Sequence, residues 1–343
     1  MSAHSQYLTI RTISFLPGWL QTRLSGEPAI VMDGQRLDPQ VQLLRSIRRR
    51  RNAYGLVEPT IAAGRARYRF ETQAFRGPMT PVAAVRDFEI PAPGGPRRAR
   101  HYSPGVQAPL TVYLHGGGFV IGDLDTHDEP CRILCSAGRT HVVSIDYRLA
   151  PEHPFPAAVD DARAALAWAQ ANAASLGADA RRIGIGGDSA GANLATVAAR
   201  FAAEEGSPPA AQLLIYPPTD GVTERPSYAL FGTGFMLTTA DREAFLHCYI
   251  DGTGVAKDDP RLAPLHARDL SGLPPTLVVT AGYDLLRDEG EAYGAALRAA
   301  GVAVRARRFP GLGHGFIHLT GVCGTARKAM RWIAHEWREV VEG

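Results

Sequence analysis

Short apolar runs alternate with longer stretches of helical periodicity from about residue 84 onward. The apolar runs predict strands at residues 110–115, 142–147, 182–187, 211–217, 276–282 and 304–309. The periodic stretches predict helices at residues 129–138, 159–176, 191–205, 285–300 and 326–341. This alternation is typical of βαβ units, in which parallel strands form one sheet with helices on both faces. The pattern therefore predicts the α/β class.

Two earlier segments extend this picture. Residues 85–90 and 97–102 predict an antiparallel hairpin at the sheet edge, which gives a mostly parallel, twisted sheet of about eight strands. Residues 1–80 show no clear strand, and residues 218–260 indicate a loop followed by a helix. Because ligands bind beyond the carboxyl ends of parallel strands, both segments are expected to form a helical cap there. The predicted division is 81–217 with 261–343 for the sheet domain, and 1–80 with 218–260 for the cap.

Composition narrows the class of protein. The chain has 343 residues, of which 45% are hydrophobic and 21% charged, as in an ordinary globular protein. A net charge of only +3 gives no reason to expect a nucleic-acid partner. Cys131 and Cys135 lack a second ligand pair, so we interpret them as buried apolar residues. The start of the chain does not resemble a signal peptide, and no apolar run reaches membrane-spanning length, so we expect a cytoplasmic protein without stable membrane insertion. A membrane-surface helix stays open for the apolar start.

The segment Gly187-Asp188-Ser189-Ala190-Gly191 is a G-x-S-x-G motif. It lies between a predicted strand and a predicted helix, which is the junction that exposes a nucleophilic serine. The alternatives are a Gly-rich phosphate loop or a plain tight turn, but a phosphate loop would need a Lys directly after the glycines, and none follows here. We therefore predict that Ser189 is a nucleophile.

Three consecutive glycines, Gly116 to Gly118, follow the predicted strand at residues 110–115. On their own they also fit a surface turn. Without side chains in the way, however, backbone N–H groups in such a loop can approach a substrate oxygen and stabilise an oxyanion. The presence of a nucleophile motif downstream favours this second interpretation, in which the N–H of Ala190 contributes as well.

A serine nucleophile needs a base and an acid that orients the base, in the chain order Ser, acid, His. Asp284 follows a predicted strand, and His314 lies in a glycine-rich loop after the last predicted strand. His318 is the rival base, and Asp288 is the rival acid one turn into the following helix. Their positions favour Asp284 and His314.

Taken together, these segments resemble the hormone-sensitive-lipase-like esterases, also called bacterial family IV, of the α/β-hydrolase fold. The resemblance extends from about residue 84 to the end of the sequence, and residues 115–119, 146–152, 187–191, 284–290 and 314–316 carry it. The chain departs from the family at Ala192, where Gly is usual, and at Leu285, where Pro is usual. Both changes leave the triad residues in place.

The resemblance implies a serine carboxylesterase that hydrolyses short- to medium-chain esters through an acyl-enzyme, without a cofactor or a metal. The site residues that it implies are Ser189, Asp284 and His314 for the catalytic triad, and Gly116, Gly117, Gly118 and Ala190 for the oxyanion hole. Within that loop, Gly116 is expected to shape the backbone.

Two other functions fit the same motifs. An amidase or deacetylase would use the same triad, and some relatives that lack the catalytic histidine bind small molecules without catalysis. The presence of His314 in its motif favours an enzyme with a small-molecule ester as its partner. Members of the family often dimerise, and whether this chain forms a homodimer stays open.

Overall fold

The computed structural model describes residues 16–50, 56 and 59–343 of the chain. Its helices are α1 (Gly18–Ser25), α2 (Pro39–Arg50), α3 (Ile61–Phe75), α4 (Asp128–Gly138), α5 (Ala157–Asn172), α6 (Ala190–Glu204), α7 (Pro226–Phe231), α8 (Thr239–Ile250), α9 (Arg287–Ala299) and α10 (Gly324–Glu342). Its strands are β1 (Val31–Met32), β2 (Gln35–Arg36), β3 (Ala84–Ile90), β4 (Arg97–Ser103), β5 (Leu110–Leu114), β6 (His141–Ile145), β7 (Ile183–Asp188), β8 (Ala211–Ile215), β9 (Thr276–Tyr283) and β10 (Val304–Gly313).

One sheet holds eight of these strands in the order β10-β9-β8-β7-β5-β6-β4-β3. All neighbours from β10 to β6 in this order are parallel, whereas β4 pairs antiparallel with both β6 and β3. The predicted α/β fold, with a mostly parallel sheet and an antiparallel hairpin at its edge, is confirmed.

The sheet is buried between helices. Every residue of β5, β6, β7, β8 and β9 is buried, which explains why these strands appear in the sequence as continuous apolar runs. Helix α10 packs against α4, and α5 packs against α6. The indole N–H of the fully buried Trp337 donates to the Thr111 hydroxyl at 2.7 Å, which ties α10 to the central strand β5.

A short hairpin, β1 with β2, contradicts the expectation that residues 1–80 contain no strand. Its turn is Asp33-Gly34, with φ of 50° and 69°, and a type I′ turn requires positive φ at both positions. The hydroxyl of Tyr283, the last residue of β9, donates to the carbonyl oxygen of Gln35. The hairpin is therefore held against the carboxyl end of the sheet.

The other segment outside the sheet, residues 218–260, contains two helices instead of the single one predicted. Thr238 and Asp241 form a capping box that fixes the start of α8. Within the described residues, no helix has both the length and the apolarity to cross a membrane. Residues 1–15, which include most of the apolar start of the chain, lie outside the described residues.

Candidate active site

Ser189 occupies the sharp turn between β7 and α6. Its φ of 52° and ψ of −123° are rare for a residue other than glycine. A Cβ atom on Gly187 or on Gly191 would overlap the carbonyl oxygen of Leu114, so both flanking positions need glycine. The G-x-S-x-G sequence thus allows β7 and α6 to approach β5 closely, with the serine side chain at the carboxyl end of the sheet.

Ser189, His314 and Asp284 form a continuous hydrogen-bonded chain. The Ser189 Oγ lies 2.9 Å from His314 Nε2, and His314 Nδ1 lies 2.7 Å from Asp284 Oδ2. A buried carboxylate beside Nδ1 keeps the proton on that nitrogen and leaves Nε2 free to accept one. The Asp284 side chain is fully buried, and its Oδ1 accepts the backbone N–H of Leu286 at 3.0 Å. The structure therefore brings together all three residues that the sequence predicts for the triad.

The two rival residues lie elsewhere. The Nε2 atom of His318 is hydrogen-bonded to the Tyr68 hydroxyl at 2.9 Å, and burial lowers the pKa of His318 to about 3. Asp288 accepts the side-chain N–H of Arg287 at 2.7 Å and the backbone N–H of Ser227 at 2.8 Å. Neither residue is hydrogen-bonded to Ser189 or His314 in the described structure.

The triple-glycine loop follows β5 and contains two residues in the left-handed region, Gly117 at φ 123° and Gly118 at φ 60°. The backbone N–H groups of Gly117, Gly118 and Ala190 donate no hydrogen bond to any residue that the structure describes. In contrast, the N–H of Gly116 donates to Asp188 Oδ1 at 2.9 Å. Three N–H groups are thus free for a ligand, whereas that of Gly116 is already used.

Asp188 is a feature of the site for which the sequence analysis assigned no role. Besides the Gly116 N–H, it accepts the hydroxyls of Tyr113 at 2.9 Å and Tyr216 at 3.3 Å, and His127 Nε2 lies 3.2 Å away. Burial alone would raise the pKa of this carboxyl, but His127 and the hydrogen bonds hold it below its usual range. The feature of the sequence that could have drawn attention to Asp188 is its position directly before Ser189 in the G-x-S-x-G motif.

His127, Asp188 and His318 are residue types that bind metal ions, and their ligand atoms lie within 4.8 Å of one another. Most of their polar atoms have hydrogen-bond partners, although His127 Nε2 has none among the described residues and only lies 3.2 Å from Asp188 Oδ1. Both Asp188 oxygens accept hydrogen bonds, His318 Nε2 is bonded to Tyr68, and His127 Nδ1 is bonded to the Thr126 hydroxyl at 2.9 Å. We therefore interpret these residues as a buried hydrogen-bonded cluster.

A cavity of about 150 Å³ opens beside Ser189 and His314. Its walls are mostly apolar and include Tyr68 and Phe75 of α3 and Phe245 of α8. Segments far apart in the sequence thus meet over Ser189. The sequence predicted that residues near 1–80 and 218–260 would lie here, but it did not indicate which side chains face the cavity.

Comparison with known proteins identifies the family. Residues 111–318 match the α/β-hydrolase fold family. The chain is 46% identical over 319 residues to the carboxylic ester hydrolase LipN of Mycobacterium tuberculosis, covering 90% of this chain and 85% of that protein. It is 42% identical over 260 residues to the esterase LipI of the same organism, covering 74% and 81% respectively.

Solved structures agree with this match. The fold is similar to that of an ester hydrolase from the metagenome of Lake Arreo, with a TM-score of 0.85 and 40% identity over 88% of this chain and 98% of that one. It is also similar to a hyperthermophilic esterase from Pyrobaculum calidifontis, with a TM-score of 0.79 and 38% identity over 87% and 97%. The chain belongs to the α/β-hydrolase fold family, in the hormone-sensitive-lipase-like group of carboxylic ester hydrolases.

Proposed function

We propose that the chain hydrolyses carboxylic esters of short to medium acyl length, with Ser189 as the nucleophile, His314 as the base and Asp284 as the acid that orients it. The observation that carries this proposal is the chain of contacts from Ser189 Oγ to His314 Nε2 at 2.9 Å and from His314 Nδ1 to Asp284 at 2.7 Å. Both distances fit proton transfer between positioned groups.

The reaction proceeds in two halves. Ser189 Oγ attacks the ester carbonyl carbon while its proton passes to His314 Nε2, and the N–H groups of Gly117, Gly118 and Ala190 stabilise the resulting oxyanion. The C–O bond to the alcohol breaks, and His314 returns the proton to the leaving oxygen. A water molecule then attacks the acyl-enzyme by the same route, which releases the acid and restores Ser189.

Residues 81–217 with 261–343 are the catalytic domain in this proposal, and residues 1–80 with 218–260 are the cap. Support comes from the cavity, since Tyr68 and Phe75 from one cap segment and Phe245 from the other line it. An open cavity of about 150 Å³ with mostly apolar walls suits a short to medium acyl chain.

The test is hydrolysis of a series of p-nitrophenyl esters with acyl chains of increasing length. We expect turnover of the short and medium esters by the wild-type chain and a loss of several orders of magnitude in Ser189→Ala. Ser46→Ala is the matched control, because the Ser46 hydroxyl is buried and, among the residues that the structure describes, donates only to the Leu43 carbonyl oxygen. Near-normal activity in a folded Ser189→Ala protein would contradict the mechanism.

The same assay separates the alternative functions. An amidase would hydrolyse an acyl p-nitroanilide well above the background rate, whereas the proposed esterase would hydrolyse only the matching ester. A binding protein would bind the ester without turnover. The contact between Ser189 and His314 favours catalysis over binding alone.

A further inference from the structure

A single buried carboxylate connects the two halves of the proposed oxyanion hole. Asp188 is the last residue of β7 and directly precedes Ser189, so the backbone fixes its position relative to the Ser189–Ala190 turn. Its Oδ1 also accepts the N–H of Gly116, the first glycine of the loop that carries the other two free N–H groups. Asp188 therefore holds the loop by a hydrogen bond and is joined to the turn through the backbone.

The packing around Gly116 leaves the backbone of the loop little room to move. A Cβ atom at this position would overlap the Asp188 carboxylate, so the backbone of the loop lies directly against it. The Asp188 side chain is itself held by the hydroxyls of Tyr113 from β5 and of Tyr216 after β8. Only 2% of Asp188 is exposed, so water cannot replace these contacts.

We propose that Asp188 is a positioning residue, which holds the loop of Gly116, Gly117 and Gly118 at the distance from Ala190 at which their N–H groups converge on one oxyanion. This inference rests on the proposed ester hydrolysis. It assigns Asp188 no contact with the substrate, because its oxygens are occupied by hydrogen-bond donors of the protein.

The same cluster reaches the wall of the cavity. His127 lies beside Asp188, and its ring meets that of His318 edge-on with centroids 4.6 Å apart. His318 in turn is hydrogen-bonded to the hydroxyl of Tyr68, which lines the cavity from α3. Asp188 thus belongs to a continuous polar cluster that connects the oxyanion loop with a helix over the substrate.

The hydrogen-bonding role and the charge of Asp188 predict different results for substitution. In Asp188→Asn the remaining oxygen can still accept hydrogen bonds from the Gly116 N–H and the Tyr113 hydroxyl. The new NH₂ group faces the hydroxyl oxygen of Tyr216, which can accept a hydrogen bond from it. In Asp188→Ala every acceptor is lost. Positioning by hydrogen bonds therefore predicts that Asn rescues what Ala removes.

The experiment measures kcat and KM for p-nitrophenyl butyrate in both variants, with folding checked by circular dichroism. We expect kcat to fall about 10²–10³-fold in Asp188→Ala, the effect of losing an oxyanion donor, with KM changed less than about threefold. Asp188→Asn should stay within about tenfold of wild type. Should the alanine variant not fold, Gly116→Ala gives a second test with the same expected fall in kcat, because its Cβ would overlap the Asp188 carboxylate and displace the loop.

Asp128→Ala is the matched control. Asp128 is also a buried carboxylate that accepts a tyrosine hydroxyl at 2.9 Å, from Tyr102, but it does not contact the loop. Its loss should lower stability and leave kcat within about threefold. A folded truncation at Asp188 with near-normal kcat, or an Asn variant as impaired as the truncation, would overturn the inference. Absence of turnover by the wild-type chain would instead refute the proposed function.

Discussion

Asp284→Asn changes one atom of the proposed triad and leaves the size of the side chain unchanged. The Oδ1 of Asp284 accepts the Leu286 N–H at 3.0 Å, so an amide would keep its oxygen on that side. Its NH₂ group would then face His314 Nδ1, which is 2.7 Å from Oδ2. Because two donors cannot share this contact, the imidazole proton would move to Nε2.

That tautomer places an N–H against Ser189 Oγ and prevents His314 from accepting the serine proton. The loss of the acid in a triad of this kind lowers kcat by about 10⁴-fold, which corresponds to about 5 kcal/mol of activation free energy. We therefore expect Asp284→Asn to lower kcat by about 10³–10⁴-fold with little change in melting temperature. Stopped-flow or steady-state hydrolysis of p-nitrophenyl butyrate measures the change.

Asp288→Asn is the control, since Asp288 contacts Arg287 and Ser227 and lies one turn into α9. It should change kcat less than about tenfold and lower stability by about 1–2 kcal/mol through the weakened contacts. If Asp288→Asn abolished turnover and Asp284→Asn did not, the assignment of the acid and the tautomer argument would both be wrong.

Three further changes test other parts of the structure. Burial, with His141 beside it, lowers the pKa of His101 from 6.5 to about 4, so the unfolded chain takes up this proton first as the pH falls. The free energy of unfolding should thus fall as the pH is lowered from 6.5 to 4, by at most about 3 kcal/mol from this group. Urea titrations at several pH values should show a smaller fall in His101→Gln than in wild type, and an unchanged fall in the exposed His335→Gln. The same pH dependence of stability in both variants would refute this. Phe75→Ala should enlarge the cavity and move the optimum of the acyl-length series to longer chains, and an unchanged optimum would remove Phe75 from the acyl pocket. Gly191→Ala should lower both stability and kcat because its Cβ overlaps the Leu114 carbonyl oxygen, whereas Gly272→Ala has room and should do neither; a stable, active Gly191→Ala would refute the close approach.

The sequence predicts the sheet well because each central strand is buried on both faces. Continuous apolar runs result from that burial. In the helices between them, apolar residues recur with the helical period of about 3.6 residues. Element ends are less well predicted. Helix α9 begins at Arg287 instead of residue 285, because the residues after β9 form the turn in which Asp284 accepts the Leu286 N–H.

The short hairpin β1–β2 shows what local patterns can conceal. Strands of two residues carry no periodic signal, and the Asp33-Gly34 pair, a known type I′ turn sequence, is the local feature from which the hairpin could have been predicted. The contacts of Asp188, on which its proposed role rests, could not be predicted from the sequence for another reason. Its partners are Tyr113 in β5, Gly116 just after β5 and Tyr216 just after β8, all far from Asp188 in the sequence, so only the folded sheet brings them together.

The most direct test of the account is covalent labelling of the nucleophile. A p-nitrophenyl alkylphosphonate should react with the protein to release p-nitrophenol in a 1:1 burst, and mass spectrometry of the digested protein should place the phosphonyl group on the peptide that contains Ser189. Ser189→Ala should give no burst and no adduct, and His314→Gln should react far more slowly because the serine lacks its base. An adduct on another residue, or an equal burst from Ser189→Ala, would contradict the central claim that Ser189 is the nucleophile of an ester hydrolase.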